Sequence, residues 1–232
     1  MFIIDGNSLV HRAFHALPPF TTRQGELVNA VYGFYSILIN IFSKIKPNYV
    51  VVSFDVAKKT FRHIEYPEYK GKRTKAPDEL YAQFGRIKEI LEKLNIPIFE
   101  KEGFEADDVL ATISSAMKIH HDVDVFIVTS DKDALQLVGD NIYVLSPLKG
   151  GSANIIYTEE KVKEKFGLNP KQIIDLKALM GDPSDNIAGV AGVGQKTATK
   201  LLQEYYDLDK IYENIDQITG SVHTKLIKDK EN

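Results

Sequence analysis

The chain has 232 residues, 44% of them hydrophobic and 26% charged, enough to bury one substantial core and too well mixed for a disordered or fibrous protein. Its 29 Lys and Arg against 32 Asp and Glu give a formal charge of −3, which taken as a whole does not suit a nucleic-acid binder. The absence of cysteine excludes a disulfide framework, a thiolate metal site and a cysteine nucleophile, and no apolar stretch approaches the ~20 residues that span a bilayer. An apparent strand starting at Phe2 leaves no room for a signal segment, so the expectation is a cytoplasmic monomer with no membrane partner.

In chain order, the runs Phe2-Ile3-Ile4, Tyr49 to Phe54 and Val123 to Thr129 are short, rich in β-branched residues and nearly continuous in apolar character. That is the pattern of parallel strands covered on both faces. Helical patterns lie between and after them, over Asn29 to Ile45, Asp78 to Leu94 (Leu80, Phe84, Ile87 and Leu91 at helical spacing) and Ala106 to Ile119. The alternation predicts an α/β fold with a central, mostly parallel sheet flanked by helices. Beyond about residue 158 the pattern becomes short and helical, with Thr158 as an N-cap, Asn169-Pro170 opening a further helix and Gly181 stopping it. The expected organisation is an α/β core over 1–157 and a helical region over 158–232. Its ending in Lys-Asp-Lys-Glu-Asn carries no structural stop and reads as truncated.

Each apolar run leads into aspartate, and in open α/β sheets ligands bind beyond the carboxyl ends of the strands, so Asp5, Asp55, Asp131 and Asp133 should converge. Glu105-Ala-Asp107-Asp108 opens a helix whose apolar stripe is expected at Val109, Ile113 and Met117, with Glu105 and Asp108 on one side. Asp182 and Asp185 repeat the three-residue spacing. Singly, each acid reads as a turn residue or a helix-start residue. Together, nine carboxylates without matching cations would repel one another and titrate high unless a divalent cation sat among them. Oxygen donors without His or Cys favour Mg²⁺ or Mn²⁺ over zinc. Two such ions ~4 Å apart can activate water, hold a phosphate and stabilise a leaving oxygen, which is the apparatus of phosphodiester hydrolysis. Setting these nine aside leaves 23 of the 32 acids against 29 Lys and Arg, a surplus of six positive charges around an acidic pit.

Lys58, Lys59, Arg62, His63, Lys70, Lys72, Arg73 and Lys75 are interleaved with Phe61, Tyr66 and Tyr69. This suits a segment that tracks a nucleic-acid backbone and stacks on it; Glu65 and Glu68 suit an ordinary solvated loop equally well. Position decides for the first, because the segment issues from the strand end at Asp55. Further on, Gly189-Val-Ala-Gly192-Val-Gly194-Gln-Lys196-Thr197 is a glycine-rich turn running into a helix, whose N–H groups can face a phosphate. It is not a Walker A loop, since Gln195 separates the last glycine from the lysine and no strand precedes it. A helix-hairpin-helix over about 174–204 suits the helical surroundings better.

The motifs Ile4-Asp-Gly-Asn-Ser-Leu, Phe54-Asp55, Phe61-Arg-His, Tyr69-Lys70-Gly-Lys-Arg73, Gly103-Phe-Glu-Ala-Asp-Asp108, Thr129-Ser-Asp-Lys-Asp133 and Gly181-Asp-Pro-Ser-Asp-Asn186 occur in that order. In them, and over nearly its whole length, the chain resembles the 5′ nuclease domains of bacterial DNA polymerase I, within the flap endonuclease family. The resemblance implies a PIN/5′ nuclease-like fold with a helical arch over about 66–84 that is mobile without DNA. It implies a structure-specific 5′-to-3′ exonuclease or flap endonuclease of replication and repair, acting on DNA with a 5′ flap or 5′ end or on an RNA primer. By the same resemblance, Asp5, Asp55, Glu105 and Asp107 hold one ion, Asp131, Asp133 and Asp185 help hold a second, and Asp108 and Asp182 lie close by. Lys70 and Arg73 are likewise expected on the scissile phosphate and Arg12 and Arg62 on further phosphates, while the basic and aromatic composition of the segment puts Tyr69, Lys72 and Lys75 on the DNA. Gly189, Gly192 and Gly194, with Lys196 and Thr197, are expected to bind the duplex, with a K⁺ ion on backbone carbonyls. Domains of this kind usually continue past the point where this chain stops. Two other readings stay open: a nuclease-fold DNA-binding module with weak turnover, which the full set of acids disfavours, and an aspartyl-phosphate phosphatase, which would need an acid where Asn7 stands.

Overall fold

The computed structural model describes residues 1–147 and 154–230. Strands β1 (Phe2–Asp5), β2 (Val50–Ser53), β3 (Ile98–Phe99), β4 (Val125–Val128), β5 (Ile142–Ser146) and β6 (Ile155–Tyr157) form one sheet in the order β3-β2-β1-β4-β5-β6. All neighbours pair in parallel except β6, which runs antiparallel to β5. The expected α/β class and its three strands are therefore present. Of the strands not foreseen, β3 is two residues long, below any periodic signal, whereas Ile142–Ser146 carried a readable apolar run.

Among the described residues the helices are α1 (Gly6–Ala16), α2 (Asn29–Lys44), α3 (Phe61–Glu65), α4 (Asp78–Lys93), α5 (Ala106–Ala116), α6 (Glu159–Phe166), α7 (Gln172–Met180), α8 (Gln195–Tyr205), α9 (Leu208–Glu213) and α10 (Ser221–Lys228). None is long and apolar enough to cross a membrane. Alternation along the strands sends Phe2, Ile4, Val52, Phe54, Val128 and Leu145 to one face, packed with apolar residues of α1, α2 and α4. Ile3, Val51, Val125, Ile127 and Val144 point the other way, toward Leu110 of α5 and into one continuous cluster with Val162, Leu176, Leu179 and Leu202 of the C-terminal helices. The chain winds outward from β1 to β2 and β3, then returns to β4 on the opposite side of β1. That reversal opens a crevice at the carboxyl ends of the central strands.

Helix α1 was not foreseen, because Asp5-Gly6 has the look of a turn. Instead the helix starts directly at the strand end, with the Asp5 carboxylate capping it by accepting the Ser8 N–H at 2.9 Å. Glycine is needed at position 6, since a Cβ there would lie 2.3 Å from a carbon of the Phe54 ring. The buried face of α5 is partly a correction: its fully buried residues are Ala106, Leu110 and Ser114, while Ile113 and, just beyond the helix, Met117 are partly buried against the same core as expected and Val109 is only partly buried. The helix is pinned at its first turn by polar contacts described below, and these set its rotation. Thr158 and Gly181 do cap α6 and end α7 as expected.

Of the span 66–84 expected as a helical arch, residues 66–77 form turns and irregular chain, and 78–84 already belong to α4. The reason is Gln83, only 2% exposed. Its Oε1 accepts the Ala30 N–H at 2.8 Å and its Nε2 donates to Asn29 Oδ1 at 3.0 Å, capping α2, whose own N-cap residue Val28 has no side chain to offer. Replacing Gln83→Leu should therefore strand a buried N–H and cost about 1–3 kcal/mol. Urea unfolding should show a lower midpoint at unchanged slope; an unchanged midpoint would remove Gln83 from the account of why α4 is held here.

Candidate metal and phosphate site

The carboxyl edge of the sheet opens into a cleft of about 1310 Å³ lined by Asp5, Asp55, Glu105, Asp107, Asp131, Asp133, Asp182 and Asp185. Asp5, at the end of β1, accepts the Thr129 hydroxyl at 2.6 Å as well as the Ser8 N–H. Asp55, just beyond β2, accepts the Ala106 N–H at 2.7 Å, at the start of α5 where the helix dipole favours an anion. Its own N–H donates to Asn7 Oδ1 at 2.9 Å, so the side chain at position 7 orders the strand end. Thr129 Oγ1 in turn accepts the Asp131 N–H at 2.9 Å, so one hydroxyl links Asp5 to Asp131. Asp107 projects into the same floor from the first turn of α5.

The walls differ from the floor in being paired with cations. Lys70 Nζ donates to Glu105 Oε1 at 2.6 Å, Arg73 pairs with Asp185, and Lys177 sits between Asp133 at 2.8 Å and Asp182 at 2.7 Å. Among the described residues no basic side chain forms an ion pair with Asp5, Asp55, Asp107 or Asp131. Burial, with help from the charges of Asp131 and Asp55 and against the Thr129 and Ser8 hydrogen bonds, pushes the Asp5 carboxyl up to about 6. Asp107 is reached by water from the cleft, yet protein closes around its other sides. That desolvation, followed by the charges of Asp5, Asp131, Asp55 and Glu105, pushes it up to about 8. On the wall the balance reverses: against burial, Lys177 and Ser184 hold Asp182 down at about 2.

An all-oxygen donor set with unpaired negative charge fits a hard divalent cation. Among the described residues no three of these side chains already stand as a ligand set, so an entering ion has to draw them in.

Comparison with known proteins agrees with this chemistry. A model of the 5′-3′ exonuclease N-terminal resolvase-like domain matches residues 1–167, and one of the 5′-3′ exonuclease C-terminal SAM fold matches 168–232. The chain belongs to the 5′-3′ exonuclease family. DNA polymerase I of Mycobacterium bovis is 46% identical over 228 residues, 97% of this chain; the chain spans only 25% of that relative's length. A structure of T5 5′-exonuclease with divalent metal ions (zinc) bound is 28% identical with a TM-score of 0.78, covering 100% of this chain and 85% of that one. A bacteriophage T5 flap endonuclease in a pseudo-enzyme-product complex with DNA and metal ions is 28% identical with a TM-score of 0.75, covering 99% and 84%.

Within this exonuclease fold the other expected site residues fall into distinct groups. Lys70, Arg73 and Arg12 line the cleft, with Arg12 donating to Ser130 Oγ at 3.4 Å. Arg62 and Asp108 do not line it; they pair with each other, Nη1 and Nη2 donating to the two carboxylate oxygens at 2.7 and 2.8 Å. Tyr69 cannot stack on a base as expected, because it is 5% exposed and its hydroxyl donates to Glu105 at 3.0 Å and Asp185 at 3.1 Å. Lys72 is exposed, and Lys75 is exposed and paired with Asp78 at 2.6 Å.

Gly189 and Gly181 bring two backbones together, since a Cβ on Gly189 would lie 2.1 Å from the Gly181 nitrogen. Gly194 caps α8, and Lys196 and Thr197 stand in its first turn. At the intervening turn Lys225 Nζ donates to the Gly192 carbonyl at 3.1 Å and the Ala191 N–H donates to Asp229 at 2.8 Å. Sequence reasoning missed Lys177, Thr129 and Asn7. The available signal for Lys177 was a lone cation inside the apolar stripe of α7, five residues before Asp182.

A carboxyl whose folded pKa is raised stabilises the fold only below its ordinary pKa, near 3.8, and that contribution is lost as pH rises through the folded value, here to about 8 for Asp107. In EDTA the thermal midpoint of the protein should therefore fall between about pH 5 and pH 8 relative to Asp107→Asn, which cannot ionise. Mg²⁺ should restore it. Parallel midpoints of the two proteins in EDTA across that range would show that Asp107 does not titrate there.

Proposed function

We propose that this chain is a structure-specific 5′-to-3′ nuclease that hydrolyses phosphodiesters in DNA with a 5′ end or flap, and in RNA primers, using two Mg²⁺ or Mn²⁺ ions. The observation that carries this reading is a floor of four carboxylates that have no ion-pair partner among the described residues, beneath a wall that presents Lys70 and Arg73. When bound there, divalent ions supply Lewis acidity and make a water nucleophilic near neutral pH. Asp5, Asp55, Asp107 and Asp131 bind them, with Glu105, Asp133, Asp182 and Asp185 free to join as their lysine and arginine partners turn elsewhere.

Lys70 and Arg73 orient the scissile phosphate, exchanging a carboxylate for a phosphate oxygen, and Arg12 meets a neighbouring phosphate from α1. The glycine turn between α7 and α8, with Lys196 and Thr197, suits the duplex backbone. A K⁺ ion at that turn would compete with the Lys225 ammonium for the Gly192 carbonyl. In this reading the core over 1–157 supplies the chemistry and the helices over 158–232 grip the duplex, with a monomer working in the cytoplasm.

The test is cleavage of a 5′-labelled flapped duplex. Short labelled products should appear with Mg²⁺ and not with EDTA, and Asp131→Asn should lower the rate by about 10²–10³-fold or more while binding the flap as tightly as the unaltered chain. Undiminished cutting by that variant would sink the role given to the floor.

A further inference from the structure

We propose that Asp108 and Arg62 form a fastening pair that holds the Lys70–Arg73 segment to the start of α5, and that neither binds an ion or a phosphate. The inference rests on the nuclease reading above for the roles of Lys70 and Arg73. Asp108 Oδ1 accepts from Arg62 Nη2 at 2.8 Å, and Oδ2 accepts from both Arg62 Nη1 at 2.7 Å and the Glu105 N–H at 2.9 Å. Three donors converge on a carboxylate that lies outside the cleft its neighbour Asp107 lines. The guanidinium has both terminal nitrogens committed in a fork-to-fork pair, the geometry of the stronger charge-assisted contacts. Nη1 also lies 3.7 Å from Glu105, so the same group steadies a residue of the floor's rim.

Other contacts tie α3 to this place. The Phe61 N–H donates to the Gly103 carbonyl at 3.0 Å, the Phe61 and Phe104 rings lie 5.7 Å apart, and the Arg62 guanidinium covers the Phe61 ring at 4.6 Å. The segment that follows α3 then crosses the cleft to Asp185, where its far end is held by the Lys70 N–H on the Asp185 carbonyl and by the Arg73 pair. The two attachments differ in kind. Side-chain pairing at the far end uses Glu105 and Asp185, the groups that ions would claim. At the near end Arg62 and Asp108 lie outside the cleft lining, and apart from the longer 3.7 Å approach of Nη1 to Glu105 the guanidinium is spent on Asp108, so this pair remains when the far-end pairs are exchanged.

The experiment compares Asp108→Asn, Arg62→Gln, Arg62→Lys and the Asp108→Asn/Arg62→Gln double variant, with Asp107→Asn as the control for a floor residue. Calorimetric Mn²⁺ titration without DNA, flap affinity in Ca²⁺ at several salt concentrations, and the rate of proteolysis within 66–77 are measured on each. Asp108→Asn should keep the ion stoichiometry of the unaltered chain, bind flap DNA about tenfold more weakly and be cut faster within 66–77. Arg62→Gln should match it with an unchanged salt slope, the double variant should be no worse than either single, and Arg62→Lys should recover part of the loss. Loss of ion binding in Asp108→Asn, additive losses in the double variant, or a salt slope reduced by about one in Arg62→Gln would overturn the proposal. If the unaltered chain binds no Mn²⁺ and cuts no flap, the nuclease reading fails instead, and non-additive proteolysis rates still decide whether the pair fastens the segment.

Discussion

Carboxylates gathered in one cleft raise the cost of each other's charge, and the arrangement of this molecule follows from how that cost is met. Two kinds of compensation come from the fold itself. Helix starts take up Asp5 and Asp55 through the Ser8 and Ala106 N–H groups, and the Thr129 hydroxyl serves Asp5 on one side and the Asp131 backbone on the other. Cations from two segments, Lys70 and Arg73 after α3 and Lys177 of α7, meet Glu105, Asp185, Asp133 and Asp182. Among the described residues no cation meets the floor, so negative charge is concentrated at the point where the sheet winding reverses. Protons relieve part of it, as the raised Asp5 and Asp107 show, and divalent cations can replace them, whereas hydrogen bonds delocalise such charge without cancelling it.

The same constraint explains why the irregular segment after α3 has a definite path. A stretch of alternating charge and aromatic residues with little apolar burial would ordinarily lie loose on the surface. Here it bridges the parts of the chain matched by the two exonuclease domain models. Tyr66 OH donates to the Asn186 carbonyl, the Asn186 amide to the Glu68 carbonyl, Arg73 to the Ser184 carbonyl and the Lys70 N–H to the Asp185 carbonyl. The backbone contacts fix position, while the Lys70 and Arg73 side-chain pairs are electrostatic and exchangeable. A segment held in this way can keep its place while its ammonium and guanidinium groups change partners.

The strand-end aspartates were legible because β1, β2 and β4 are short, nearly continuous apolar runs of the kind that suit buried parallel strands, and the residues just beyond such strands meet solvent or a ligand. Helix α4 was legible for a similar reason, its Leu80, Ile87 and Leu91 falling on one face. That 78–84 would belong to α4 rather than to an arch was not legible, because Gln83 reads as an ordinary surface residue of a helix; only the fold reveals that it caps a helix distant in sequence. Tyr69 misled in the same way. Its neighbours are cations, which suggested stacking on a base, whereas the deciding fact is the pair of carboxylates that its hydroxyl reaches from different parts of the chain.

Adjacent acids at the start of α5 show where reading by spacing runs out. Successive residues of a helix are turned by about 100°, so Asp107 and Asp108 cannot share a direction, and only the rotation of the helix decides which of them meets the cleft. That rotation is set by Asp55 on the Ala106 N–H and by the capping box in which Asp108 accepts the Glu105 N–H. A carboxylate that returns to its own N-cap points back along the helix start and away from the sheet edge, and Arg62 arrives there because α3 packs against Gly103 and Phe104. The acid that looked like one more metal ligand is thereby committed to ordering the others. Charge alone does not separate these roles in a sequence, because both demand an aspartate; they separate only when each carboxylate oxygen is followed to its donor.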